Sequence, residues 1–392
     1  MGQPELVFIC QNKIGGVQNF YKNLLSGNSY KGFITKLIYT NNRDDHETKL
    51  PGLFRCAKEE YLFDYSETDS TYSTFRRLRK LVGDQEGFVF TNFVLELGSL
   101  QNYPSGKTIG FVVHDEWYIQ HAIRYSFLID VYIAHNPGIF ELLKRLLPDR
   151  QPDIFYLPYG VEIPVLQRQE NRDSQLKILF IGRLHPLKGI FDIPLIDDEL
   201  VKNGIACEWT IIGDGPEKQQ FLDHIDQRKN FWHTSPETGK EVLEIAAQHD
   251  VFVLPSRLEG LPVSLLEAMS VGLVPVIGKF NEGIHRVVEK QEGFVLPMGD
   301  IEAFARSIMQ VHNDRALLES MSRAARKKIG MNYNAATNAA GYYELVKKYR
   351  ELKSPRKTVL PIKYGNGRLD KFYMPDTLIK GVRYLSGLWK GK

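Results

Sequence analysis

Short apolar runs separated by helix-length stretches recur along all 392 residues, and they do so in two passes. In the first pass they fall at 6–10, 33–40, 88–92, 108–114, 130–135 and 154–157. In the second they fall at 177–182, 208–213, 251–254, 274–278 and 293–296. Runs that are apolar on both faces and alternate with helices fit parallel strands covered on each side. A polar, proline-containing segment, IPVLQRQENRDSQ at 163–175, separates the passes. The expected fold is α/β, with two doubly wound Rossmann-like domains facing across a cleft, 1–165 and 166–333. Residues 334–352 read as a helix returning to the first domain, and 353–392 as a basic amphipathic tail. Ligands of such sheets bind beyond the carboxyl ends of the strands, so the residues just past each run carry the functional reading.

Composition excludes several classes. The chain is 43% hydrophobic and 25% charged, the balance of a globular protein long enough for two cores. No apolar run approaches the roughly 18–20 residues of a membrane span. The start, MGQPELVFIC, has no basic segment leading into an apolar one, and Leu6 stands where myristoylation wants Ser or Thr. Cys10, Cys56 and Cys207 are spaced for neither a disulfide framework nor a metal site. A cytoplasmic protein is expected, without a nucleic-acid partner. Charge is uneven: 353–392 hold ten Lys/Arg against two Asp, while the rest holds 40 basic against 45 acidic residues. A basic tail on a mildly acidic body points to an anionic partner, such as a membrane surface.

The most telling strand end lies in VFVLPSRLEGLPVSLLEAMSVGLVPV, 251–276. A buried strand gives way to a Gly-Leu-Pro loop, and a helix opens near Pro262, where proline is tolerated. The first N–H groups of such a helix, with the dipole behind them, suit a phosphate. Glu259 on the loop and Glu267, expected about two turns into the helix, supply hydroxyl-binding carboxylates beside it. In GRLHPLKG (182–189), Gly182 ends a strand, Arg183 follows, and Lys188 comes five residues later. Two cations there suit a diphosphate, Arg183 as a fork and Lys188 as a point charge. Taken alone, that spacing reads first as a turn with solvated bases. IIGDGPE (211–217) reads as a tight turn, and no G-x-G-x-x-G argues for a dinucleotide.

Taken together, GRLHPLKG, IIGDGPE, HDVFVLPSRLEGLPVSLLEAMSVGLVPV and EGFVLPMGD resemble, in order and spacing, the nucleotide-binding domain of family-four retaining glycosyltransferases of the GT-B fold. In the first half, IGGVQNF, DVYIAHNPGIFELLKR and IFYLPYGVE resemble that family's glycine loop and domain exit. The resemblance covers roughly residues 5–350. It implies that Arg183 and Lys188 bind the donor diphosphate, Glu267 the ribose and Glu259 the sugar hydroxyls. Gly182, Gly260, Leu261 and Pro262 would frame the phosphates. Gly15 and Gly16 would let the backbone approach the sugar phosphate, and His114 would face the donor sugar. Asp115 and Glu116 read as acceptor-side or structural groups. The sequence departs from the family at KFNEGIHRVV, which lacks the usual small-residue loop ending in Pro-Glu, and at FWHTSPETG, which lacks a glycine after its strand.

The implied reaction moves a hexose-type sugar from a nucleoside diphosphate sugar to a hydroxyl of a glycan or lipid-linked acceptor, with retention. Uridine is preferred over guanosine, and bacterial surface polysaccharide is the setting. Preorganised cations and a helix N-terminus aimed at the leaving group are the expected catalytic device. No D-x-D pair follows a strand, so no metal and no cofactor are expected. For acceptor or membrane contact, TFRRLRKLV (74–82) offers Phe75, Leu78, Leu81 and Val82 on one face, with Arg76, Arg77, Arg79 and Lys80 around it. An ordinary core-facing helix fits that pattern equally. In the tail, Leu378, Val382, Leu385 and Trp389 fall at helical spacing among Lys380, Arg383, Lys390 and Lys392; this helix either meets an anionic surface at the inner membrane face or folds back on the body. A non-catalytic nucleotide-sugar-binding subunit and a GT-B sugar-nucleotide epimerase are the alternative functions.

Overall fold

The computed structural model describes the chain except for residues 1, 14, 28–29, 46–48, 51, 102–105, 170–174, 237, 356–374 and 391–392, and except for the side chains of 384–390. Two compact units emerge. The first holds Met1–His135, Ile139–Leu157 and Ala339–Lys392, and the second Asn136–Gly138 and Pro158–Asn338. The divide falls at 157/158 rather than 165/166, and the return at 339 rather than 334. Of the expected linker, 170–174 lie outside the described residues. Of the rest, residues 165–167 and Gln169 are exposed, while Arg168 is buried and ion-paired with Asp250 at 2.6 Å and with Glu319.

The first unit is a seven-stranded parallel sheet: β1 (Glu5–Gln11), β2 (Ile34–Asn42), β3 (Glu59–Tyr65), β4 (Gly87–Thr91), β5 (Lys107–Val113), β6 (Val131–Ala134) and β7 (Ile154–Tyr156). Their order is β3-β2-β1-β4-β5-β6-β7. The central strand β1 sets Phe8 opposite Leu37 of β2 and opposite Phe90 of β4. Val7, Ile9, Ile38, Val89, Ile109 and Phe111 are fully buried beneath the helices. Those helices are α1 (Gly16–Gly27), α2 (Thr71–Val82), α3 (Val94–Leu100), α4 (Ile119–Arg124) and α5 (Pro137–Leu146).

The second unit repeats the plan with β8 (Leu176–Ile181), β9 (Cys207–Ile212), β10 (Phe231–Thr234), β11 (Val251–Leu254), β12 (Val274–Gly278) and β13 (Phe294–Leu296), in the order β10-β9-β8-β11-β12-β13. Its helices are α6 (Asp192–Lys202), α7 (Lys218–Ile225), α8 (Gly239–Ala246), α9 (Val263–Val271), α10 (Ile301–Asn313) and α11 (Arg315–Asn332). The chain ends with α12 (Ala335–Lys347), α13 (Tyr349–Leu352) and α14 (Asp376–Lys390).

Two strands carry no apolar run in the sequence: β3, EEYLFDY, buries only Phe63 well, and β10, FWHT, only Phe231. Both are edge strands, where one partner and a solvated face remove the need for continuous hydrophobicity. In each sheet the chain order reverses beside the central strand, between β1 and β4 and between β8 and β11. Ligands of doubly wound sheets bind at the carboxyl side of such a switch point.

Candidate active site

At the switch point of the second sheet, the loops after β8 and β11 lie backbone against backbone. Gly189 has φ +68°, and a Cβ there would sit 2.2 Å from the Pro255 carbonyl oxygen. The Arg257 N–H donates to the Leu187 carbonyl at 2.8 Å, and its guanidinium grips Asp192 at 2.9 and 3.0 Å. The turn in IIGDGPE forms the other wall of the Arg183 loop. Gly213, at φ +149°, would place a Cβ 1.9 Å from the Gly182 oxygen, and the Leu184 N–H donates to Asp214 O at 2.9 Å. What read in the sequence as a tight turn therefore shapes the cationic loop.

These loops bring Lys188 and Glu259 together. Lys188 Nζ lies 2.5 Å from Glu259 Oε1, and the buried Ser256 hydroxyl donates to the same oxygen at 3.0 Å. The side chains are 26% and 11% exposed, so the pair is sheltered yet reachable. Arg183 is exposed on the loop that carries Lys188, and Gly182 directly follows β8. Pro262, with extended backbone, is the cap residue of α9, which runs from Val263. Glu267 therefore stands about one turn into the helix rather than two, half-buried. Leu261 and Pro262 are buried, and Gly260 is half-buried.

Tyr159 anchors the backbone between the two glutamates. Its buried hydroxyl donates to the Leu261 carbonyl, and burial, then the Glu259 carboxylate, then that of Glu267, suppress its ionisation. One phenol thus feels both carboxylates.

The Glu259–Gly260 backbone is held by two asparagines of this same unit. Asn281 Nδ2 donates to the carbonyls of Glu259 (3.0 Å) and Gly260 (2.8 Å), and Asn136 Nδ2 donates to Gly260 O (3.0 Å) and to Asn281 Oδ1 (3.1 Å). In return, Asn136 Oδ1 accepts the Gly138 N–H at 2.6 Å, and Asn281 Oδ1 the Gly283 N–H at 2.9 Å. Neither asparagine was singled out from the sequence. The signal was there for Asn281, which lies in KFNEGIHRVV where the chain departs from the family pattern.

In the first unit, Gly15 precedes α1 and Gly16 opens it; a Cβ on Gly15 would meet only the end of the Gln18 side chain, at 3.1 Å. His114 follows β5, with Nε2 2.7 Å from Asn92 Oδ1 and its ring against Phe20, Tyr118 and His135. Burial, then His135, push its pKa well below the ordinary 6.5, which keeps the ring neutral. Asp115 accepts the Trp117 N–H, a structural turn contact, and Glu116 is exposed.

The apolar stripe of α2 is a core face: Phe75, Leu78 and Val82 are buried and Leu81 packs against the same cluster. Arg77 pairs with Asp69 at 2.7 Å and Arg79 with Asp84 at 3.0 Å, while Arg76 and Lys80 are exposed. The tail helix α14 folds back along this unit. Asp376 accepts the Ser70 N–H at 2.8 Å, Lys380 pairs with Asp69 at 3.0 Å, and Arg383 donates to backbone carbonyls of Glu67 and Asp69. Ile379 is buried, whereas Leu378 and Val382 of the expected stripe point outward, 51% and 39% exposed. The side chains of Leu385 and Trp389 lie outside the described residues.

Two doubly wound parallel-sheet units in one chain define the GT-B architecture. Solved structures agree: HepE of Anabaena in complex with UDP and glucose matches with a TM-score of 0.69 over 88% of this chain and 100% of its own, at 14% identity. Sucrose-phosphate synthase of Thermosynechococcus elongatus matches with a TM-score of 0.71 over 88% and 98%, at 13% identity. Residues 163–328 match the sequence model of the family described as glycosyl transferases group 1. Relatives include the Escherichia coli UDP-Gal:alpha-D-GlcNAc-diphosphoundecaprenol alpha-1,3-galactosyltransferase, 28% identical over 51% of this chain and 55% of its own length. The amylovoran biosynthesis glycosyltransferase AmsK of Erwinia amylovora is 31% identical over 43% and 44%. The chain thus spans about half the length of these relatives. It has the GT-B fold, and its second unit is similar in sequence to the group 1 glycosyl transferases.

Proposed function

We propose that this protein transfers a hexose-type sugar from a nucleoside diphosphate sugar, with UDP as the preferred carrier, to a hydroxyl of a glycan or lipid-linked acceptor in bacterial surface polysaccharide synthesis, with retention of configuration. The observation that carries the reading is the meeting of Lys188, Glu259 and the Arg183 loop at the switch point, next to the start of α9. Breaking the anomeric bond leaves negative charge on the diphosphate and positive charge on the sugar ring. Arg183, Lys188 and the first N–H groups of α9 stabilise the former, and a fixed cation costs no reorganisation as charge develops. Lys188 waits paired with Glu259, and an arriving diphosphate competes for the ammonium and frees the carboxylate for sugar hydroxyls. Glu267 takes the ribose hydroxyls. The leaving phosphate accepts the acceptor's proton, so no side-chain base is needed.

The E. coli relative, named for UDP-Gal and a diphosphoundecaprenol acceptor, and the UDP-bound HepE structure support the uridine carrier and a lipid-linked acceptor. No described helix is long and apolar enough to cross a membrane. We place the protein in the cytoplasm, peripheral to the inner membrane face, through the outward Leu378–Val382 edge of α14. Equal sedimentation with anionic vesicles before and after removal of 375–392 would count against that attachment.

The central test is turnover of UDP-glucose and UDP-galactose. Slow hydrolysis to free sugar and UDP, abolished in Glu259→Gln and Lys188→Ala, is expected. Binding seen as a thermal shift with no turnover for any acceptor would instead indicate a binding subunit. The reaction is expected to run without a metal, and loss of turnover in EDTA that Mg²⁺ or Mn²⁺ restores would refute this.

A further inference from the structure

The strand ends β1, β4 and β5 of the first unit meet at one side chain the reaction scheme has not used. Asn92, directly after β4, is buried, and its amide has a single chemically sensible orientation. Nδ2 donates to the Ile9 carbonyl at 2.5 Å, so Oδ1 points the other way, accepting from the Tyr21 hydroxyl at 2.8 Å and lying 2.7 Å from His114 Nε2. Reversing the amide would set two carbonyl oxygens against each other at Ile9. Asn92 is itself pinned, because its backbone N–H donates to Glu96, and Glu96 also accepts the Phe93 N–H at 3.1 Å at the start of α3.

An amide oxygen only accepts hydrogen bonds. A ring nitrogen 2.7 Å away must therefore carry the proton. His114 has no other hydrogen bond among the described residues, so Nδ1 is left bare. The titratable groups around the ring are Tyr118, His135 and, across Asn92, Tyr21; none of these donates a hydrogen bond to Nδ1.

We propose that Asn92 is a positioning residue that locks His114 as the neutral Nε2–H tautomer, so that Nδ1 presents a lone pair to a substrate hydroxyl. His114 then works as a hydrogen-bond acceptor, and not as a proton donor or as a cation beside a ring that becomes positively charged. That division suits a sugar, whose hydroxyls can donate to Nδ1. The assignment of the ligand rests on the transferase reading above; the tautomer itself rests on the hydrogen-bond geometry alone.

The test reads the two apart. Histidine-selective nitrogen-15 NMR of the full-length protein, with the His114 signal assigned by loss in His114→Asn, is expected to show protonated Nε2 and unprotonated Nδ1 at pH 7. An Nδ1–H form or an imidazolium at that pH overturns the proposal whatever the activity. In Asn92→Ala the signal is expected to become a mixture of tautomers. UDP-glucose hydrolysis is expected to fall about tenfold in kcat, the equivalent of one hydrogen bond, with little change in KM. An unchanged tautomer in Asn92→Ala also overturns the proposal. Asn92→Asp is expected to raise the pKa of His114 and impose a basic shift on the acidic limb of the pH–rate profile, which a merely structural role for Asn92 would not do. Wild-type protein with the expected tautomer but no turnover of any nucleotide sugar would refute the transferase reading and leave the tautomer assignment standing.

Discussion

Removing Asn281 tests whether the Glu259–Gly260 loop is shaped by its asparagine clamp. The side chain makes four hydrogen bonds, two donated to the carbonyls of Glu259 and Gly260 and two accepted from Asn136 Nδ2 and the Gly283 N–H. At a net of roughly 0.5–1.5 kcal/mol each, the full loss is about 2–6 kcal/mol. Asn281 is only half-buried, so water replaces part of it, and about 2–3 kcal/mol is expected for Asn281→Ala. For a unit of this size that corresponds to a fall of roughly 4–12 °C in its melting temperature. Asn281→Asp is the sharper variant, because it keeps both accepted bonds but turns a carboxylate oxygen towards two carbonyls; it is expected to be at least as destabilising. Differential scanning calorimetry gives the shifts, and a double-mutant cycle with Asn136→Ala gives a coupling of about 1 kcal/mol if the pair acts as one clamp. Both variants should also weaken UDP binding, since Glu259 loses its fixed backbone. A melting shift below about 1 °C, or strict additivity with Asn136→Ala, would refute the reasoning.

Three further outcomes follow from the same geometry. Burial raises the pKa of Glu96 from its ordinary 4.5 to about 8, so the folded state keeps a proton that the unfolded chain releases; stability from this group is complete below about pH 4.5 and is lost as pH rises towards 8. Glu96→Gln should therefore gain on wild type from pH 5 to 8, by at most about 1.4 kcal/mol per pH unit, and urea melts showing a pH-independent difference would contradict this. Lys188→Ala should lower turnover about a hundredfold or more while costing under about 1 kcal/mol, since the pair is partly solvated; equal damage to stability and rate would show a structural ion pair. Gly189→Ala combines a left-handed backbone with a clash against Pro255 O, and should cost at least about 2 kcal/mol; a denaturation midpoint near wild type would show that the two loops separate easily.

Much of this was legible in the residues. The apolar runs placed eleven of the strands, because a strand buried on both faces has to be written as a continuous hydrophobic segment. Edge strands β3 and β10 escaped, since half of each is solvated. At the candidate site, Arg183, Lys188 and Glu259 were singled out because they lie just past buried strands, and Glu267 because it follows them in the helix that opens there. Asn92, Asn136 and Asn281 were not found. An asparagine in a loop looks the same in sequence whether it caps a turn or holds the backbone of a neighbouring loop.

By itself, then, the sequence determined the two-pass alternation, the carboxyl-end location of the charged residues and the basic character of the tail. These depend on local periodicity and composition, which survive without any partner. Only the tertiary structure decided that Lys188 meets Glu259, that Asn281 and Asn136 share the Gly260 carbonyl, that Asn92 sets the protons of His114, and that the stripe of α2 faces the core. Each of these joins residues far apart in the chain. Such pairings are set by sheet order and by backbone approach at Gly189 and Gly213, and neither is encoded in any single segment.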